Sequence, residues 1–219
     1  MKLDLHLHSM HSHDALTKPS SIVSEAKKKG IVPALTDHNS CKGWDELLHW
    51  AKEDDVEVIL GEEISCYNKG RFCGELIGLF MKHWVAPGEY WEVVEEIKKQ
   101  GALLMVPHPF DILRSRFSLL EEILPEVNLF EVYNSRTYFN HFNNKALKFA
   151  KENDLPMVAG SDAHTPEEIG NAFVEVEADS LEGARHQIIA GHTKIFGEKA
   201  SLADHFQTQL AKYKIAKPR

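Results

Sequence analysis

The feature that most constrains the fold is the alternation of short apolar segments with amphipathic ones along the chain. The amphipathic segments, such as 20–30 and 140–154, carry helical spacing and end at glycine or polar residues. The apolar segments predict β-strands at 2–7, 31–36, 56–60, 75–80, 102–106, 129–133, 156–159 and 172–176. Strand–helix alternation of this kind predicts an α/β fold with a parallel sheet or a barrel.

Polar side chains of the kind that bind metals recur at the ends of these predicted strands. They are His6 and His8, Asp37 and His38, Glu62 and Glu63, Glu75, His108, Glu131, Asn134 and Arg136, and Asp162 and His164. Parallel barrels build their active sites at the C-terminal ends of their strands. We therefore expect one site, assembled from side chains that are far apart in the sequence.

The spacing of two residue pairs predicts metal binding. His6 and His8 lie two residues apart on a predicted strand, so both imidazoles point to the same face and can reach one cation. Asp162 and His164 repeat this spacing at a later strand. Each pair is a weak signal by itself. Together, in barrel order, imidazoles and carboxylates are typical of zinc, manganese and iron sites.

Composition and charge exclude several other classes of protein. A net charge of −8 argues against strong nucleic-acid binding, which depends on Lys and Arg neutralising phosphates. No apolar run approaches the ~18 residues of a membrane-spanning helix, and no signal peptide is recognised. The three cysteines, Cys41, Cys66 and Cys73, form no CxxC pair. They favour a reducing cytoplasm, with a Cys66–Cys73 disulfide as the alternative.

Six segments together resemble a known family. DLHLHS, ALTDHN, GEEIS, VPHPF, FEVYNS and GSDAH look like the ordered motifs of the PHP (polymerase and histidinol phosphatase) family of metal-dependent phosphoesterases. The resemblance covers residues 3–195. It implies a single domain, 1–195, with a distorted (β/α)7 TIM-like barrel, and it leaves 196–219 as a C-terminal helix that packs on the barrel.

The resemblance also implies a cofactor of two or three divalent metal ions, Mn, Zn or Fe, with Mg as a further candidate. The implied ligands are His6, His8, Glu63 and Asp162 for one metal, Glu63 and His108 with Glu75 for a second, and His38, His164 and Asp14 for a third. Glu63, Asp162 and His164 are further assigned as catalytic residues. Glu63 is expected to bridge two metals, and Glu62 to support it from behind.

Two ligand positions have alternatives. In the first loop we favour Asp14 as the ligand, with His13 as the alternative. Relatives often carry a histidine where this chain has Glu75, so Glu75 is expected to replace it, with His83 as the alternative. A carboxylate is a harder ligand than an imidazole, so Glu75 would favour manganese, iron or magnesium over zinc.

Such a site predicts hydrolysis of a phosphate mono- or diester by a metal-bound hydroxide. The expected substrate is a small phosphorylated metabolite, a nucleotide or a short oligonucleotide. Arginine contacts phosphate through two parallel hydrogen bonds. We therefore expect Arg136 first, then Arg114 and Arg116, to bind phosphate oxygens. Asn134 could bind the substrate or, as the alternative, support a ligand histidine.

Two other functions remain open. An amidohydrolase would use similar ligands to cleave an amide or a lactone, although no lysine follows a strand in the position that such enzymes typically use. A non-catalytic metal-binding module would be expected to have lost several of the ligands. The final helix could also pair protomers in a homo-oligomer.

Overall fold

The computed structural model describes residues 1–200. Its strands are β1 (Lys2–Leu7), β2 (Val32–Leu35), β3 (Ile59–Asn68), β4 (Arg71–Leu79), β5 (Gly88–Glu89), β6 (Leu103–Val106), β7 (Leu129–Asn134), β8 (Met157–Gly160), β9 (Ala172–Glu175) and β10 (Lys194–Gly197). Its α-helices are α1 (Pro19–Lys29), α2 (Trp44–Asp54), α3 (Tyr90–Lys99), α4 (Leu120–Ile123), α5 (Asn140–Glu152) and α6 (Leu181–Ile189).

The strands form one twisted sheet in the order β10-β9-β1-β2-β3-β4-β6-β7-β8, and β5 adds to β3. A parallel bridge between Leu7 and Ala163, which follows β8, brings the two ends of the β1-to-β8 stretch together. The result is a nearly closed barrel-like sheet with helices between most strands. This confirms the expected α/β barrel fold.

Strand β1 shows how the sequence positions the site. Leu3, Leu5 and Leu7 alternate along it and are fully buried in apolar clusters. The period of two residues turns Asp4 and His6 to the opposite face. That face can carry polar residues because neighbouring groups, described below, bind to them.

The largest departure from the predicted strands is a β-hairpin. The predicted strands at 56–60 and 75–80 are parts of two longer strands, β3 and β4, which pair antiparallel. The chain reverses between them at Lys69 and Gly70, whose φ angles of 53° and 73° form a tight two-residue turn. Strand β4 therefore runs against its neighbours, and the barrel is not uniformly parallel.

The C-terminal region follows the prediction only in part. The first residues of the predicted helix at 196–219 belong to β10, which ends at Gly197. The rest of that helix, 201–219, lies outside the described residues and stays a prediction. Among residues 1–200 no helix has both the length and the apolar character needed to cross a membrane.

Candidate metal centre

The predicted metal ligands meet in one cluster at the mouth of the barrel. The ligands belong to, or closely follow, six strands of the sheet, namely β1, β2, β3, β4, β6 and β8, except for Asp14 in the loop between β1 and α1. The cluster comprises His6, His8, Asp14, His38, Glu63, Glu75, His108, Asp162 and His164, and it is almost entirely buried. The expectation that these side chains converge is therefore correct.

Glu63 lies at the centre of the cluster. Its Oε2 is 3.3 Å from His6 Nε2 and 3.2 Å from His38 Nδ1, and its Oε1 is 3.2 Å from His108 Nε2. The two carboxylate oxygens thus face different imidazoles. This is the arrangement that a carboxylate bridging two cations requires.

Asp162 forms a second centre beside it. Its Oδ1 lies 3.3 Å from His8 Nε2 and 3.5 Å from His164 Nδ1. Its Oδ2 accepts a hydrogen bond from Asn134 Nδ2 at 3.0 Å and forms an ion pair with Arg114. One carboxylate therefore links the histidines to a cationic side chain from another loop.

The structure distinguishes the alternatives at two ligand positions. Asp14 is buried, with its carboxylate oxygens 3.3 Å from His164 Nε2 and 3.7 Å from His38 Nε2. His13 is exposed, although one of its ring nitrogens also lies within 4.8 Å of ligand atoms of Asp14 and His38. Glu75 Oε1 lies 3.4 Å from His38 Nδ1. His83 is exposed on the segment that follows β4. Asp14 and Glu75 are therefore the better placed of each pair.

The donor set fits divalent cations. Within residues 1–200, several atoms of the cluster that could bind a metal are buried and have no hydrogen-bond partner. They include Glu63 Oε1, Asp162 Oδ1 and His38 Nδ1. A buried polar atom without a partner costs free energy, so native proteins rarely keep one without a reason. Five groups of three donors lie within 4.8 Å of one another, including His6–His8–Glu63 and His38–Glu63–Glu75. Cations bound among these atoms would satisfy them.

Residues around the cluster orient the imidazoles. Glu131 Oε1 lies 3.0 Å from His6 Nδ1, and Asp162 O lies 2.7 Å from His164 Nδ1. These oxygens can accept a hydrogen bond from each Nδ1, an arrangement in which Nε2, once deprotonated, faces the cluster as the metal-binding atom. Ser12 Oγ lies 3.2 Å from His8 Nδ1 and donates to Asp37 Oδ1 at 2.7 Å.

Two of the ligands have unusual backbone conformations. His108 and Asp162 have φ angles of 27° and 56°, in a region that residues other than glycine rarely adopt. Hydrogen bonds hold both residues there, because the Asp162 amide donates to His6 O and the His108 amide donates to Glu131 Oε2, each at 2.6 Å. Backbone strain that is maintained by the surroundings is typical of functional sites.

The charges of the carboxylates and imidazoles are coupled. Burial alone would raise the pKa of Glu63, but His38 and His6 outweigh it and hold that pKa well below its usual range. Burial would likewise raise the pKa of Asp162, but Arg114 and His6 lower it. Both carboxylates are therefore ionised at neutral pH and are ready to bind cations.

The imidazoles divide into two groups. Burial tends to lower the pKa of His38, but Glu63 and Glu75 outweigh it and raise that pKa to about 10. The pKa of His6 is raised in the same way by Asp162, Glu131 and Glu63. Burial lowers the pKa of His8 and of His164 to about 4, so these two are neutral at pH 7.

The arginines predicted to bind phosphate occupy three different environments. Arg114 reaches the cluster and pairs with Asp162. Arg136 is buried and pairs with Glu168, so it supports the loop that carries His164. Arg116 is exposed. The preference for Arg136 therefore needs correction, since Arg114 is the arginine that lies against a candidate metal ligand.

The contacts favour one of the two roles expected of Asn134 and correct the role expected of Glu62. The Asn134 amide donates to both Glu131 Oε2 and Asp162 Oδ2 at 3.0 Å, which makes it a support of the ligands in this structure. Glu62 lies on the face of β3 opposite to Glu63 and accepts a hydrogen bond from the Val85 amide, so it does not support the cluster.

The residue that sequence reasoning missed is Glu131. It was recognised only as a polar residue at a strand end, yet it contacts His6, the His108 amide and Asn134. The available signal was a carboxylate inside the apolar strand segment LFEVY. A charged residue fully buried within a strand needs partners, and the histidines supply them.

Comparisons with known proteins agree with this geometry. Residues 4–113 match the profile of the PHP domain, and residues 140–191 match that of the PHP-associated region. An uncharacterized protein of Methanocaldococcus jannaschii is 38% identical over 189 residues, which cover 83% of this chain and 73% of that protein. The 5'-3' exoribonuclease of Haemophilus influenzae is 44% identical over 71 residues, 32% of this chain and 26% of that protein.

A solved structure has a similar fold. It is a two-domain protein of Bacteroides vulgatus, described as containing a predicted PHP-like metal-dependent phosphoesterase. It superimposes with a TM-score of 0.74 at 22% identity, over 90% of this chain and 65% of that one. The chain thus spans slightly less than two thirds of that protein. With a matched family profile, a close relative and the expected ligand cluster, the chain belongs to the PHP family.

Proposed function

We propose that the chain is a metal-dependent phosphoesterase that hydrolyses a phosphate mono- or diester in a small phosphorylated substrate. Membership of the PHP family supports a metal-dependent hydrolase. The observation that carries the choice of a phosphate ester is the position of Arg114, whose guanidinium lies against Asp162 inside the ligand cluster. A cation of this shape beside a metal cluster suits the oxygens of a phosphate.

The proposal assigns a role to each part of the cluster. Two or three divalent cations would be held by the nine clustered ligands, with Glu63 and Asp162 at their centre. When bound, such cations neutralise phosphate charge and make water a better nucleophile at neutral pH. Glu131 and Ser12 orient the imidazoles. Arg114 binds a phosphate oxygen and so positions phosphorus for in-line attack.

The buried position of the cluster favours hydrolysis over loose ion binding. The buried metal-binding atoms are shielded from water, and in such surroundings cations held there, together with Arg114, would attract a phosphate anion more strongly than at an exposed site. The name of the H. influenzae relative places nucleic acid among the candidate substrates. The match covers only 32% of this chain, so sugar phosphates and free nucleotides remain candidates as well.

A cytoplasmic location is part of the proposal. It is supported by the cysteines, since Cys41, Cys66 and Cys73 are all free thiols in the described residues. Free thiols are typical of reducing compartments.

Hydrolysis of a C–N or lactone bond is the second candidate, because amidohydrolases use a similar ligand set. Their carbamylated lysine has no counterpart here. In the described chain no lysine follows β1, β2, β6, β7 or β8 at the positions that carry the ligands. A phosphate ester is therefore the better supported substrate.

A parallel assay tests the proposal. The protein is stripped with a chelator, reloaded with Mn²⁺, and assayed on p-nitrophenyl phosphate, bis(p-nitrophenyl) phosphate, nucleoside monophosphates and a panel of amides and lactones. We expect turnover of one or more phosphate esters, lost in the stripped protein and in Glu63→Gln. Turnover of amides or lactones alone would establish the second candidate. No turnover of any substrate by the reloaded protein would contradict both.

A further inference from the structure

The β3–β4 hairpin extends well beyond the metal cluster. We call residues 64–74 the hairpin arm. Glu63, Ser65 and Tyr67 alternate along β3, so their side chains share one face. On β4, Glu75 pairs with Ser65 and Phe72 pairs with Tyr67. A register shift between Cys66 and Tyr67 skips one β4 residue, so Phe72 lies beside Tyr67 although it is three residues from Glu75. A continuous strip of the arm thus leads from the ligands to two aromatic rings.

The two rings form a partly exposed pair. Tyr67 and Phe72 contact each other edge to face, with centroids 5.9 Å apart, and Phe72 is 51% exposed. The opposite face of the arm is occupied, because Cys66 and Cys73 are buried against the core that contains Phe117. Only the face that carries the metal ligands is therefore available to a ligand.

The arm is held in place along its length. The Glu89 carboxylate accepts hydrogen bonds from the Lys69 and Gly70 amides at 2.7 Å each, which ties down the turn. Nearer the cluster, the Asn39 side chain forms two hydrogen bonds with Ser65, of 3.0 and 2.8 Å. A surface that is already ordered loses little entropy when a ligand binds.

The turn of the arm also carries positive charge. Lys69 and Arg71 are both exposed there, next to the aromatic pair, and together they outnumber the carboxylate of Glu89, which binds the turn. Aromatic rings that stack on bases, together with cations that follow a phosphate backbone, are the combination that binds single-stranded nucleic acid. A few local cations suffice for a short strand, so a net charge of −8 for the whole chain does not oppose it.

We propose that the hairpin arm binds the bases of a single-stranded oligonucleotide whose terminal phosphate ester lies at the metal cluster. This inference rests on the proposed phosphoesterase function and narrows its substrate class. Tyr67 lies four residue positions beyond Glu63 on the strand, a distance of about 13 Å. A sugar phosphate held at the cluster is too short to reach the rings, whereas the following units of an oligonucleotide can.

Binding and turnover are measured separately to test this. The Mn²⁺-loaded full chain is titrated into a fluorescein-labelled, 5′-phosphorylated single-stranded oligonucleotide with phosphorothioate linkages, and anisotropy gives Kd. The variants are Phe72→Ala, Arg71→Ala and Phe72→Trp. Trp50→Ala is the matched control, because Trp50 is an exposed aromatic residue on α2, at 38% exposure.

We expect Phe72→Ala to raise Kd by about 5- to 100-fold, the usual effect of losing one stacked base. Arg71→Ala should raise Kd less and reduce its salt dependence. Phe72→Trp should restore binding, and Trp50→Ala should leave it unchanged. The rate on p-nitrophenyl phosphate should be the same in all four variants, because that substrate is too small to reach the arm.

Several outcomes would overturn the inference. An unchanged Kd in Phe72→Ala, or an equal loss of p-nitrophenyl phosphate turnover, would show that the arm does not bind bases. A protein that hydrolyses p-nitrophenyl phosphate but binds no oligonucleotide would contradict the inference and keep the proposed function. Binding that depends on Phe72, without hydrolysis of any phosphate ester, would contradict the proposed function and keep the arm as a binding site for bases.

Discussion

The Glu131 carboxylate lies 3.0 Å from His6 Nδ1, and both side chains are fully or almost fully buried. The same carboxylate accepts a hydrogen bond from the His108 amide at 2.6 Å. Glu131 thus holds two candidate ligands that come from opposite sides of the barrel. It orients the imidazole of His6 and holds the backbone of His108 in place.

Glu131→Gln should therefore weaken metal binding without removing a ligand. An amide keeps the size of the side chain but accepts a weaker hydrogen bond from His6 Nδ1. Loss of such a partner typically lowers the affinity for the metal by about 10- to 100-fold. Calorimetric titration of the metal-free variant with Mn²⁺ measures the change. An affinity equal to that of the parent protein would show that Glu131 does not orient the ligands.

Arg114→Ala should lower kcat/KM for phosphate esters by about 10- to 100-fold, because one charge-assisted contact to phosphate is lost. Arg116→Ala is the matched control, since Arg116 lies two residues away on the same loop and is exposed. Steady-state rates on p-nitrophenyl phosphate give the comparison. Equal losses in the two variants would mean that Arg114 has no specific contact with the substrate.

Gly74→Ala should displace the loop that carries Arg114. Gly74 has a φ of 124°, and a Cβ there would lie 2.3 Å from Arg116 O and 2.4 Å from Phe117 Cα. We expect a loss of a few kcal/mol in the free energy of unfolding together with reduced kcat/KM. Gly101→Ala is the control, because its Cβ would meet nothing within 4 Å and adds only the cost of its φ of 72°. Denaturant unfolding of both variants tests the difference.

Glu62→Gln should change how stability depends on pH. Burial raises the pKa of Glu62 from 4.5 to about 8, so between these values the folded protein binds more protons than the unfolded chain. Its contribution to stability is therefore full below pH 4.5 and is lost as pH rises through about 8. The variant should lack that decline of a few kcal/mol, on the order of 1.4 kcal/mol per pKa unit.

Urea unfolding of the metal-free protein at a series of pH values between about 5 and 9 measures how the free energy of unfolding changes with pH. Glu53→Gln on the exposed side of α2 serves as the control. Parallel curves for Glu62→Gln and the parent would show that Glu62 ionises normally in the folded protein.

Metal binding should release protons. The pKa of His38 is raised to about 10 in the metal-free protein, so this imidazole is protonated at pH 7 and must lose its proton to become a ligand. Its protonation stabilises the metal-free fold below pH 6.5, and that stabilisation is lost as pH rises through about 10.

The affinity for Mn²⁺ should accordingly rise with pH across the neutral range. Titration calorimetry in buffers of different ionisation enthalpy counts the protons released. His38→Asn should release about one proton fewer per cluster filled. His49→Gln, an exposed histidine on α2, should behave like the parent protein. Identical proton release in parent and His38→Asn would contradict the role of His38.

Several of the candidate ligands could be predicted because they lie at the end of a strand with a recognisable local pattern. His6 and His8 share a face by the period of the strand, and the barrel order brings them to Asp162 and His164. The orientation of such side chains depends on a few neighbouring residues. Local pattern therefore indicated these positions, while the full ligand set came from the resemblance to the PHP family and stays a prediction.

The parts that were not predicted depend on distant contacts. The hairpin turn at Lys69 and Gly70 lacks the Asn-Gly or Asp-Gly pair that marks such turns most clearly, so its strands were predicted too short. The choice between Arg114 and Arg136 is decided by where two loops pack. Arg136 pairs with Glu168, a residue 32 positions away, which no local pattern indicates.

The reversal of direction at β4 has a consequence for how the protein can be altered. The Glu89 carboxylate holds the turn of the hairpin at its present distance from the cluster. An insertion of matched residue pairs at the turn end of β3 and β4 would lengthen the hairpin by whole repeats of its side-chain period and move the turn away from Glu89. Glu63 and Glu75 would keep their partners, while the tip moved outward in steps of about 7 Å. The length of the hairpin beyond Glu63 and Glu75 could thus be changed without replacing either candidate metal ligand.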